Sequence, residues 1–271
     1  MKRRGFVKSI GISALGIGLM PSVFAANRVK KTDHDICKLA WKQLCGNIGN
    51  VYKTDAFKYV NSVKGKPNVL IYGDSVSIKY SSAVRESLKG KATVIRLFKN
   101  GGSSQNFIPN MEKMHDSMFQ PGLDKGWDFK WDLIHFNVGL HDLKYLKGKN
   151  LSKNGKQVSS LSIYKENLDE ICKYLMMKFP KAKLVFATTT PVPENAKGRY
   201  QGDSIKYNKA ALEVLANYPD IAINDLYAFT FPHHKEWMQE PGNVHYNEVG
   251  FAKQGKEVAR IIAENLKIGT K

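Results

Sequence analysis

The chain has 271 residues, 42% of them hydrophobic, a formal net charge of +18 and three cysteines. That length buries one good-sized core and permits one or two domains, while Cys37, Cys45 and Cys172 are too few and too far apart for a disulfide framework. A chain this basic collects polyanions, yet no helix-turn-helix, RNA-binding or zinc-finger pattern is present, so nucleic acid is not the expected partner.

In chain order, the first segment is "MKRRGFVKSIGISALGIGLMPSVFAAN". Arg3 and Arg4 precede an apolar stretch too short and too Gly-rich to cross a bilayer comfortably, which is the pattern of a twin-arginine export leader. Val23 and Ala25 suit the −3 and −1 sites of a signal peptidase. The expected leader is therefore 1–25, and the mature chain begins near Ala26, periplasmic or secreted, with no stable membrane insertion after cleavage. The alternative is the same segment kept as an N-terminal anchor. Residues 26–66 read as a helical extension, in which Ile36, Leu39, Ala40 and Leu44 predict a helix over 33–45. On that helix Cys37 and Cys45 lie about 12 Å apart along the axis and cannot pair with each other.

Residues 67–271 read as one domain. Short β-rich runs at 68–73, 92–98, 131–138, 182–189 and 221–225 alternate with helical periodicity at 78–88, 103–117, 161–179, 203–217 and 248–266. Nearly continuous apolar runs suit strands covered on both faces. The alternation predicts a doubly wound α/β three-layer sandwich around a mostly parallel five-stranded sheet. The stretch "LKGKNLSKNGKQVSS" (146–160) reads as an irregular inserted loop.

In such a sheet, ligands bind beyond the carboxyl ends of the strands. Three loops fall at that edge: "YGDSVS" (72–77), "KNGGSSQN" (99–106) and "NVGLHDLK" (137–144). Each alone uses residues that any turn or helix cap uses. Their convergence on one edge favours Ser75 as a nucleophile over Ser75 as an ordinary cap.

These blocks, in this order and across most of 68–250, resemble the SGNH, or GDSL-type, hydrolase superfamily, which implies an SGNH hydrolase, flavodoxin-like fold. The resemblance further implies that Ser75 is the nucleophile and its N–H an oxyanion donor, that Gly102 in "NGGSS" gives a second donor, and that His245 in "GNVHYNEVG" is the base. "FNVGLHDLK" and "TTTPVPE" resemble a bacterial branch of the superfamily often found near glycan-degrading enzymes. Two positions depart from the pattern. His141 stands where the third block, normally Gly-x-Asn-Asp, has asparagine, and Gly242 stands where the last, normally Asp-x-x-His, has aspartate. An imidazole N–H can replace an amide N–H as an oxyanion donor, so His141 is a candidate for that role. Asn137 is a substitute, and the alternative is a packing histidine held by Asp142. Glu240, Glu248, Asn243 and a backbone carbonyl all remain open as the group that orients His245.

The chemistry this implies is ester hydrolysis without metal or other cofactor. His34, His115, His135 and His234 lack the tight spacing of a zinc site, and the adjacent His233 and His234 do not easily share one ion. Lys144, Lys147, Lys149, Lys153 and Lys156 punctuate the insert, and Lys79 and Lys99 flank the first two blocks. A solvated lysine face is the ordinary explanation of such a run. Placed at the mouth of the site, with Asp74, Lys79, Asp142 and Lys144 as substrate-binding candidates, it favours an anionic carbohydrate or other acidic ester. The alternatives are a sulfate-ester hydrolase (a carbohydrate sulfatase) on the same scaffold, or a glycan-binding protein that lost its triad acid.

Overall fold

The structure is a computed structural model and describes residues 33–46, 54–119 and 126–270. The expected leader and the expected mature start both lie outside the described residues. Described elements run α1 (Asp33–Cys45), β1 (Asn68–Tyr72), α2 (Ser75–Ser87), β2 (Thr93–Arg96), α3 (Phe107–Met118), β3 (Leu133–Phe136), β4 (Tyr145–Lys147), β5 (Asn150–Leu151), β6 (Lys156–Gln157), α4 (Leu161–Lys178), β7 (Lys183–Ala187), α5 (Asp203–Leu215), β8 (Ile221–Asn224), α6 (Leu226–Thr230), α7 (His234–Trp237) and α8 (Glu248–Leu266).

Val69, Leu70, Ile71 and Tyr72 of β1 are fully buried, because a strand covered on both faces by helices has no polar side to alternate with. The five long strands pair in parallel in the order β2-β1-β3-β7-β8. The chain leaves β1 first toward β2 and then returns to β3 on the other side. The loops after β1 and β3 therefore diverge and open a crevice at their carboxyl ends. Aromatic rings lock this part of the sheet: Phe107 of α3 lies 4.0 Å from Tyr72 and 5.7 Å from Phe136, which in turn lies 5.4 Å from Phe186. Contacts of this kind contribute about 0.5–1.5 kcal/mol each beyond area burial.

Helix α2 packs directly on α8. Gly255 permits the close approach, since a Cβ there would sit 2.5 Å from Ala83 Cβ. The described part of 26–66 is not separate from the domain: Cys37, Trp41, Leu44, Cys45 and Phe57 belong to the same core as the sheet, and Trp41 Nε1 donates to Phe57 O at 2.7 Å. All three cysteines are buried.

The five strands and long helices occupy the expected segments, with two differences. Helix α2 begins at Ser75 rather than at 78, because Asp74 caps it, its carboxylate accepting from Val76 N at 2.9 Å. The insert is not irregular. It folds into a three-stranded antiparallel sheet ordered β5-β4-β6. Two backbone ties hold it at the sheet edge, Tyr145 N to Gly198 O at 2.7 Å and Ser159 N to Asp142 O at 3.0 Å. Among the described residues no helix is long and apolar enough to cross a membrane.

Candidate active site

Ser75 is the first residue of α2, at the carboxyl end of β1. Its neighbour Gly73 is required by space, since a Cβ there would lie 2.9 Å from both Cβ and Oγ of Ser77. Behind this turn sits Arg96, fully buried at the end of β2. Its Nη2 donates to Gly73 O, Asp74 O and Ser77 Oγ at 2.8, 3.1 and 3.0 Å, and its Nη1 to Leu97 O and Lys99 O at 2.8 and 2.7 Å. One guanidinium thus ties the serine turn to the loop after β2. Burial pulls its pKa down to about 10, so it stays charged at neutral pH. Hydrogen bonds from a charged donor contribute roughly 1.5–3 kcal/mol each, which makes Arg96 the clamp that fixes the turn.

Ser75 Oγ lies 2.8 Å from His245 Nε2. On the far side of the ring, His245 Nδ1 lies 2.8 Å from Asn243 Oδ1, which also accepts from the His245 backbone N–H at 3.0 Å. A backbone N–H only donates, so the atom it meets is the amide oxygen, and the Asn243 orientation follows from that contact. Nδ1 therefore carries the proton, Nε2 is the acceptor, and the Ser75 hydroxyl donates to it. The Asn243 Nδ2 group donates to Glu240 Oε1 at 3.0 Å. Of the groups left open as orienter, the structure places Asn243 on the ring, Glu240 one step behind it, and Glu248 in the first turn of α8 with no hydrogen bond to His245 among the described residues. Gly242 has φ +79°, and a Cβ there would lie 3.2 Å from Asn195 O, so an aspartate is strained at this position and the loop turns inward one residue later. Burial lowers the pKa of His245 below the ordinary 6.5, with Asp74 opposing that shift. The ring is neutral and able to take a proton at pH 7.

His141 lines the same cleft. Burial pushes its pKa down to about 4, so it too is neutral. Lys144 Nζ lies 3.1 Å from His141 Nδ1. An ammonium can only donate, so Nδ1 accepts and Nε2 carries the hydrogen, a fixed donor of the kind an oxyanion needs. Asn137, by contrast, ties strand ends together: its N–H donates to Tyr72 O at 3.0 Å and its Nδ2 to Ala187 O at 2.7 Å. It is not part of the cleft lining.

Gly102 has φ +72°, and its N–H donates to Asn100 Oδ1 at 3.0 Å. That leaves the Asn100 NH2 group without a partner among the described residues, and Asn100 lines the cleft beside Ser75. Asn100 escaped the reading of "NGGSS" because that reading looked for a backbone donor rather than a side chain. The Ser75 N–H also has no hydrogen-bond partner among the described residues, as expected for the first turn of a helix.

The remaining binding candidates separate by burial. Asp74 and Asp142 are interior. Asp74 caps α2. Asp142 accepts from Ser104 N and Oγ and from Ser159 Oγ, at 3.0, 2.6 and 2.8 Å, joining three loops, and burial raises its pKa. Lys79 is exposed with its Nζ 5.8 Å from the Phe251 ring centroid. Lys144 and Lys149 line the cleft, whereas Lys153 lies over the Tyr200 ring at 5.2 Å. Two cleft cations, Lys197 and Arg199, come from the loop after β7 and not from the insert. The cleft has a volume of about 670 Å³. Among the described residues no group of three or more His, Cys, Asp or Glu side chains is placed to hold a metal ion.

His141→Ala should lower turnover on an aryl acetate by about 100-fold to 1000-fold, the range seen when one oxyanion donor is removed, with little change in KM. Steady-state kinetics check this. A change confined to KM would recast His141 as a binding or packing residue.

The sheet order, the switch point between β1 and β3, and the helices on its faces define a doubly wound three-layer α/β protein with a serine–histidine pair at the strand ends. Neither a family model nor a curated protein matches the sequence. Solved structures match the fold. A lipase/acylhydrolase from Enterococcus faecalis superposes with TM-score 0.53 and 17% identity over 76% of this chain and 98% of its own. The acetyl xylan esterase AlAXEase gives 0.53 and 16% over 72% and 99%. A putative SGNH hydrolase from Slackia heliotrinireducens gives 0.54 and 14% over 73% and 99%. The chain has the fold of the SGNH, or GDSL-type, hydrolases.

Proposed function

We propose that the protein is a serine ester hydrolase acting on ester substituents of an anionic polysaccharide outside the cytoplasm. The observation that carries the chemistry is the Ser75–His245–Asn243 chain, with 2.8 Å at each link. A serine hydroxyl becomes a useful nucleophile when a base within hydrogen-bond reach takes its proton. His245 Nε2 removes the Ser75 proton as Oγ attacks the ester carbonyl. The Ser75 N–H and His141 Nε2–H, with the Asn100 amide beside them, hold the developing negative charge. His245 then returns the proton to the departing alcohol, and water, deprotonated by the same ring, releases the acid and restores Ser75. The Asn243 carbonyl keeps the ring in the reactive tautomer throughout, as the acid does in a serine–histidine–aspartate arrangement.

The solved neighbour named as a lipase/acylhydrolase supports ester chemistry, and the one named as an acetyl xylan esterase supports an ester of a carbohydrate. The cations of the cleft support an acidic one. The twin arginines of the leader support export, which brings the enzyme to such polymers.

Assay of 4-nitrophenyl acetate beside 4-nitrophenyl sulfate tests the reaction class. Ester cleavage with an acyl-enzyme burst is expected. Turnover of the sulfate alone would replace acyl with sulfuryl chemistry, and turnover of neither, with retained glycan binding, would make the protein a binding module.

A further inference from the structure

We propose that Arg199 and Lys144 form a subsite for an anionic group carried by the same sugar residue as the scissile ester. This rests on the ester-hydrolase reading above and names the part of the substrate that the cleft selects.

Arg199 is 6% exposed, yet it makes no ion pair among the described residues. Its Nε donates to Leu140 O at 3.1 Å, and its two terminal nitrogens have no hydrogen-bond partner among the described residues. Taking a guanidinium out of water without a carboxylate is costly. The carboxylates whose charge reaches this cluster are Asp74 and Asp142, and both are committed to donors in the interior. Lys144 adds a second, partly buried cation beside it, and each lowers the proton affinity of its surroundings. Two desolvated cations in the wall of an open cleft, with unused donors, make a receptor for an oxyanion group. The planar fork of arginine matches the oxygens of a carboxylate or a sulfate.

The location sets the reach. Leu140 immediately precedes His141, so the carbonyl that holds Arg199 belongs to the residue next to the oxyanion donor. Lys144, in turn, is hydrogen-bonded to His141 itself. An anion on this pair therefore sits beside the reacting carbonyl, within a single sugar residue of it. The wall is also braced: Tyr145 N bonds to Gly198 O, which ties the Arg199 loop to the miniature sheet. Lys149 and Lys197 continue the positive lining, suited to further charges along the polymer. The outer lysines of the insert, Lys147, Lys153 and Lys156, do not line the cleft.

Three acetylated substrates test this: the methyl glycosides of acetylated glucuronic acid, of acetylated glucose 6-sulfate and of acetylated glucose, which differ at C6 alone. The parent enzyme should prefer one or both charged sugars, and the preference should fade as salt rises. Arg199→Gln should lower kcat/KM on the preferred charged sugar by between about 10-fold and 100-fold more than on the neutral sugar, mostly through KM. Arg199→Lys, which keeps the charge and loses the fork, should fall between. Comparing the glucuronate with the 6-sulfate identifies the anion. Equal losses on all three sugars, or no loss on any, would overturn the subsite. Titration of deacetylated methyl glucuronoside and glucose 6-sulfate into Ser75→Ala protein, by calorimetry, reads the subsite without turnover. Weaker binding on adding Arg199→Gln, with the thermal midpoint retained, supports it even if the parent hydrolyses no ester, which would count against the reaction class alone. Binding that ignores Arg199 would overturn it.

Discussion

Ser75→Ala lowers kcat on an aryl acetate by about 10⁵-fold or more, since losing the nucleophile of a serine–histidine unit removes covalent catalysis altogether and leaves only binding and oxyanion stabilisation. The hydroxyl is partly exposed and its loss leaves no core cavity, so cooperative thermal unfolding should be retained. Burst kinetics and mass measurement of an acyl adduct check the role directly. A variant keeping a tenth of the parent activity would remove Ser75 from the mechanism.

Asn243→Ala is expected to cost between about 10²-fold and 10⁴-fold in turnover, the upper figure being that for spoiling the orienting acid of a serine protease. An amide carbonyl stabilises the imidazolium less than a carboxylate does, so less is lost with it. The pH profile separates orientation from packing. With Asn243 in place, the acid limb of kcat/KM reports His245, and its midpoint should lie below 6.5 because burial depresses that group. The base must be neutral, so activity is present above the midpoint and disappears as pH falls through it. Asn243→Asp puts a negative charge 2.8 Å from Nδ1, favours the charged ring and should move the limb upward by about one pH unit or more. Glu240 faces the same amide at 3.0 Å, so the aspartate is best introduced together with Glu240→Gln, which relieves the carboxylate repulsion. A limb that stays in place would mean that His245 is not the titrating base.

The sheet was legible from sequence because its strands are buried on both faces and leave nearly continuous apolar runs, and the helices because their stripes recur at a local period. The serine turn was legible for a similar reason: a short apolar run closed by Gly73, Asp74 and Ser75 is a strand end followed by a capped helix, and both signals lie within a few residues. The miniature sheet at 145–157 was not, because its strands are two or three residues long and held by ties to Gly198 and Asp142 that no local pattern records.

Within the site, the sequence placed Ser75 at the carboxyl edge of the sheet, and the resemblance put His245 with it and Gly242 at the usual aspartate position. Only the tertiary structure decided what fills the role. Asn243 does so because the positive φ of Gly242 turns the loop so that an amide oxygen caps Nδ1, and because α8 packs on α2, bringing together residues 170 positions apart. The same is true of the cations. In the sequence Arg96 is one residue of the β-rich run at 92–98 and Arg199 one of many basic residues; burial with no ion pair among the described residues marks the first as the clamp of the serine turn and leaves the second with donors facing the cleft. A charge acquires a specific role when desolvation removes its alternatives, and desolvation is a property of the packed chain rather than of any stretch of it.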